Sequence, residues 1–146
     1  MKNQILRSTA ILGLFFMLAI ASVHAQTPSR VEVKIPFDFT AGKATLKAGT
    51  YSIKRVSDNA LALRRVDGKT TAIVSSPLTI ESRNYKGGQR LVFNKYGDQY
   101  FLSQVWLSVD TGRQLFPSGT ERNAAREYSL ANNNAKPERF EIAIRK

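Results

Sequence analysis

Cysteine is missing from all 146 residues, and the only histidine is His24. That histidine lies in a segment with its own pattern. Lys2 and Arg7 are followed by an uncharged apolar run at residues 10–20 (AILGLFFMLAI), and Val23 and Ala25 then stand at positions −3 and −1 of a cleavage site before Gln26. Basic start, apolar centre and small-residue exit together predict a secretory signal peptide. The apolar run falls short of the ~20 residues that span a bilayer. The expectation is a cleaved signal at 1–25 and a single β domain at 26–146, exported to a periplasmic or extracellular address.

Cleavage removes His24, so the mature chain has neither imidazole nor thiol. No Ser-His-Asp or Cys-His nucleophile system can be built without them. Zinc and copper sites lose their usual ligands as well. Acidic residues are scattered singly with no D-x-D-x-D-G loop, so no calcium site is expected either. A disulfide framework is excluded in a compartment that would permit one, and a lipoprotein anchor lacks its cysteine. The reading is of no enzyme, no cofactor and no metal. Stability has to come from packing and hydrogen bonds.

What the chain does have is alternation. In residues 31–39 (VEVKIPFDF) Val31, Val33, Ile35, Phe37 and Phe39 share one phase, which predicts a half-buried strand with Pro36 at an edge or bulge. Further strands are expected at 51–54, 60–66, 69–75, 78–82, 89–95, 99–109 and 139–145. Asp67-Gly68 predicts a two-residue type I′ hairpin turn, which needs positive φ at both positions. Residues 85–88 and 96–98 read as turns. Residues 99–109 look longest and central, with apolar groups on both faces. Ser118-Gly-Thr-Glu121 matches a reciprocal capping box opening one short amphipathic helix at 120–130. About eight strands with turns every 8–12 residues predict a mainly β fold, an antiparallel β-sandwich or small barrel with one short helix near the C-terminus.

Charge of one sign dominates. Without Lys2 and Arg7, 20 basic side chains face 11 acidic ones, a net charge of +9, although no run exceeds two residues. The densest points are Lys54-Arg55, Arg64-Arg65, Arg83/Lys86/Arg90 and Arg122/Arg126. Aromatics gather near Gly97, with Tyr96 and Tyr100 flanking it. Arg83, Lys86, Arg90, Tyr96, Tyr100, Arg122 and Arg126 are therefore the candidate binding surface, meeting anionic envelope lipid or polysaccharide by screened attraction. No specific nucleic acid is expected. Nor is an integral membrane protein after cleavage, because adjacent charges at 54–55 and 64–65 would put one toward lipid in an outer-membrane barrel.

The leading function is an exported noncatalytic binding or envelope-associated structural module. Its rivals are a lipocalin-like carrier of a small apolar ligand, for which a Gly-x-Trp on the first strand is wanting, and a carboxylate-dependent glycoside hydrolase. The latter would draw on Glu81, Asp98 or Asp110 near strand ends.

Phe37-x-Phe39-x-x-Gly42-x-x-x-Leu46-x-Ala48-Gly49-x-Tyr51, just after the signal segment, resembles a group of small exported bacterial β-proteins without an assigned activity. Their corresponding turn often reads Leu-Pro-Ala-Gly, whereas this chain has Lys47 in place of the proline. The match covers about 20 residues, with a looser similarity at Phe140–Arg145. It implies the β fold and export, and it names no catalytic residue.

Overall fold

The computed structural model describes residues 30–82 and 87–144. The signal segment at 1–25, Arg83, Lys86 and part of the expected turn at 85–88 lie outside them. Eleven strands and one helix are present among the described residues: β1 (Arg30–Ile35), β2 (Phe39–Ala41), β3 (Ala44–Leu46), β4 (Gly49–Ser57), β5 (Ala60–Arg65), β6 (Thr71–Ser75), β7 (Leu78–Glu81), β8 (Arg90–Tyr96), β9 (Gln99–Trp106), β10 (Thr111–Gln114), α1 (Gly119–Ala131) and β11 (Glu138–Ala143). They form a four-stranded sheet in the order β1-β4-β5-β6 and a seven-stranded sheet built on β11-β8-β9-β10-β7, with β2 and β3 joined to it along β9. Inward residues of both sheets meet in one core, so the fold is a mainly β sandwich.

The expected strand at 31–39 is two strands in different sheets. Val31, Val33 and Ile35 face the core from β1, and Phe39 faces it from β2. Pro36 supplies no N–H to a ladder, so pairing stops there and the chain crosses to the second sheet. Pro77 marks another crossing, from β6 to β7. The three strands beyond the expected eight are β2, β3 and β10, each of three or four residues. Strands that short carry too little alternation to be read locally. The longest strand is β4, at nine residues, while β9 is central as expected.

The resemblance motif accounts for one corner of this sandwich. Phe39, Leu46 and Tyr51 are buried, and the rings of Phe39 and Tyr51 meet edge to face at 5.4 Å. Gly42 turns β2 into β3 with φ 59°. Asp38 closes the return turn, accepting from Ala48 N at 2.8 Å and Lys47 Nζ at 2.7 Å. Lys47 thus supplies an ion pair to a turn that proline would stiffen. Phe39, Gly42, Leu46, Ala48 and Tyr51 are thus accounted for by folding.

Asp67-Gly68 is not a two-residue turn. Arg65 N donates to Thr70 O at 2.8 Å and Gly68 N to Arg65 O at 2.9 Å, which makes residues 66–69 a four-residue loop. Only Gly68 has positive φ, 75°. The Asp67 carboxylate accepts from Lys69 N at 3.1 Å and pairs with Arg65 Nε at 3.1 Å, local bonds that hold it out of the left-handed region. Two-residue connections stand instead at Gly42-Lys43, Asp58-Asn59 and Gly97-Asp98, and in the first and last of these glycine comes first with φ 59° and 60°.

Candidate functional site

Of the seven candidate surface residues, Arg83 and Lys86 lie outside the described residues, and the other five do not all share a face. Tyr100 stacks on Phe37 at 3.8 Å, at the end of the core. Tyr96 lies under α1 on the opposite side of its sheet, edge-on to Phe101 and Tyr128, and burial raises its phenol pKa. Arg90 covers Trp106. Arg122 and Arg126 are exposed on α1, with Arg122 Nη1 donating to Pro117 O at 2.8 Å. Arg90 and Tyr96 share one phase of β8, on the side that α1 covers, whereas Tyr100 turns to the core side.

α1 is held to the outer face of the seven-stranded sheet by a buried polar contact. Ser118 Oγ accepts from Glu121 N at 3.1 Å, the forward half of the capping box. The return half is absent, because Glu121 Oε1 accepts from Asn94 Nδ2 at 2.9 Å instead. Burial pushes the Glu121 carboxyl above its ordinary pKa, partly offset by that Asn94 bond. The protonated form is therefore favoured more in the folded than in the unfolded chain. Its contribution is present below the unfolded pKa and is lost as pH rises through the folded value. Relative to Glu121→Gln, the parent should lose stability as pH rises from about 4 to about 7. Denaturant titrations at both pH values check this; an equal stability difference at both would refute it.

Beside α1, Trp106 lies among polar and charged side chains. The Arg90 guanidinium sits 4.3 Å over its ring. Gln104 Oε1 accepts from Trp106 Nε1 at 3.1 Å and from Arg139 Nη2 at 2.7 Å. Gln104 Nε2 donates to Gln114 Oε1 at 2.9 Å, and Glu141 lies 3.5 Å from Arg90 Nε. With the ring 4% exposed and its N–H satisfied, the cluster seals this face of the sheet.

The carboxylates named for glycoside hydrolysis are all exposed. Glu81 and Asp110 reach the same end of the sheet, where Glu81 pairs Thr111, while Asp98 sits in the β8–β9 turn. Bonds from the backbone, Ser108 and Thr111 hold the Asp110 carboxyl below its ordinary pKa, opposite to what a general acid requires. Between the sheets, where an apolar ligand would lie, Phe39, Tyr51, Phe93, Leu91 and Leu102 fill the space.

A basic groove lies on the outer face of the four-stranded sheet. Register places Arg30 beside Lys54 and Lys54 beside Ala62, and it places Ser52 beside Arg64. Ser52 and Ala62, each 6% exposed, form the floor of an open groove of about 520 Å³ that Arg30, Lys54, Arg64 and Arg65 also line. Glu32 pairs with Arg30 at 3.0 Å and Asp67 with Arg65. Among the described residues no carboxylate pairs with Lys54 or Arg64. Both sat in the densest basic points of the sequence. Phase was the usable signal, since Lys54 and Arg64 occupy the polar phase of strands whose other phase is core.

No family model, curated protein or solved structure matches the chain. Among the described residues no helix is long and apolar enough to cross a membrane, and no cluster of acidic residues suits a metal ion.

Proposed function

We propose that this is an exported, noncatalytic binding module that holds an anionic polymer of the cell envelope, an acidic polysaccharide, along the basic face of its four-stranded sheet. The carrying observation is the groove with a small-residue floor and two unpaired cations, Lys54 and Arg64. A polymer chain can lie in a trough with its charges against both sides, whereas a flat membrane surface would not enter one. Solvated cations on a rigid strand lose little side-chain freedom beyond their own rotamers, so binding is electrostatic and tolerant of sequence or sugar identity. The signal-like segment at 1–25 and the resemblance to small exported β-proteins support the location.

Binding of polygalacturonate tests this reading. Affinity should fall steeply between low and about 0.15 M salt, because exposed charges more than ~8 Å apart are screened there. Lys54→Ala with Arg64→Ala should weaken it about tenfold, equivalent to ~1.4 kcal/mol, while Arg122→Ala with Arg126→Ala should change it far less. Protein recovered outside the cytoplasm should begin at Gln26. Salt-insensitive binding of a neutral apolar ligand would refute the proposal.

A further inference from the structure

The outer strands of the two sheets are not alike, and one of them, β3, is uncharged but only three residues long. β1 carries Arg30, Glu32 and Lys34, β11 carries Glu138, Arg139 and Glu141, and β7 ends in Glu81. Charges on an edge oppose the pairing of a further strand. β6 reads Thr71, Ala72, Ile73, Val74 and Ser75 and has no charge at all.

Its outward backbone groups are also free. Arg65 N bonds Thr70 O, and Ser76 N bonds Asn59 O, which sets the phase of the β5–β6 ladder. Residues 70, 72, 74 and 76 turn to β5, and Thr71, Ile73 and Ser75 turn their N–H and C=O groups away from it. Among the described residues no backbone bond uses those groups.

Alongside β6 runs a second open groove of about 580 Å³. Ala72, Val74, Gly42 and Ala44 line one part of it, and Phe116 and Pro117 another. Ile73 is 72% exposed and Phe116 57%, large apolar areas for a chain with this much charge. The charged groups lining the groove are Lys43 and Arg122, both basic, with no carboxylate among its lining residues. An incoming strand thus finds three free backbone positions, small apolar contacts and positive charge.

We infer that β6 is a docking edge for an extended, acidic peptide segment of a partner protein, which adds to the four-stranded sheet as a fifth strand. Backbone bonds to Thr71, Ile73 and Ser75 supply attachment, alternate apolar side chains fill the groove, and carboxylates meet Lys43 and Arg122. A second copy of this chain fits the same edge less well. Its own β6 brings no carboxylate to the groove, and two mature copies carry a net +9 each. This edge is distinct from the polysaccharide groove, and its test uses neither Lys54 nor Arg64.

The probe is the blocked peptide acetyl-Glu-Val-Thr-Val-Thr-Val-Glu-amide, titrated into the full mature chain while backbone amides are followed by NMR and hydrogen exchange. Exchange at Thr71, Ile73 and Ser75 should slow at least about tenfold at saturation. The same peptide with lysine for glutamate, or with alternate amides N-methylated, should bind at least about tenfold more weakly. Ile73→Pro removes one outward donor without touching the β5–β6 ladder and should abolish binding. Lys43→Glu with Arg122→Glu keeps the backbone edge and should reverse the preference toward the lysine peptide, which covers a misfolded proline variant. Unchanged exchange at the three amides, or equal binding of the N-methylated peptide, would overturn the inference. So would protection of these amides that grows with protein concentration alone, which would assign the edge to a second copy.

Discussion

Trp106→Ala should destabilise the protein by about 3–5 kcal/mol, the range for deleting a buried aromatic side chain. The ring is 4% exposed although it stands outside the core between the sheets. It lies against Gly112, where an added Cβ would come within 2.5 Å of Cδ2, so only glycine leaves room for it. Arg90 covers the other side at 4.3 Å. Truncation would therefore remove packing on both faces of the indole and strip Gln104 of one donor. Denaturant unfolding of the two forms measures the loss. A variant of unchanged stability that no longer binds polygalacturonate would instead make Trp106 a recognition residue.

Tyr51→Ala should cost a similar ~3–5 kcal/mol, for a different reason. Tyr51 is fully buried at the meeting of the two sheets, edge-on to Phe39. Its hydroxyl donates to Lys47 O at 2.7 Å, which ties β4 to the turn closed by Asp38. Tyr51→Phe keeps the ring and loses only that bond, at about 1 kcal/mol. The two variants separate ring from hydroxyl, and a small loss for alanine with a large one for phenylalanine would contradict the packing account. Both variants should leave polyanion affinity intact wherever the protein remains folded, because Tyr51 faces away from the groove.

Much of the fold is legible locally. Alternation placed Val31, Val33 and Ile35 in the core, and the Ser118 cap with its following alanines located α1 within a residue at each end. Both signals are short-range, because side-chain direction repeats every two residues in a strand and a cap bonds three residues ahead. Asp67-Gly68 does not form the turn its dipeptide predicts because the carboxylate has two local partners, Lys69 N and Arg65, that dipeptide identity does not reveal. The candidate site fared worse. Tyr96 and Tyr100 are four residues apart in sequence, yet they lie on opposite faces of one strand pair, with Gly97 and Asp98 reversing the chain between them.

By itself the sequence determined the class of the protein: a mainly β chain with one late helix, a strong basic excess, and no imidazole or thiol after residue 25. These follow from composition and from periods of a few residues. Tertiary structure alone decided which sheet each strand joined, that Pro36 and Pro77 mark crossings between sheets, and that Lys54 and Arg64 share a trough over Ser52 and Ala62. It also decided that β6, a five-residue strand without charge, ends the four-stranded sheet. The physical reason is that strand neighbours are chosen by long-range pairing, whose register depends on burying two whole faces at once.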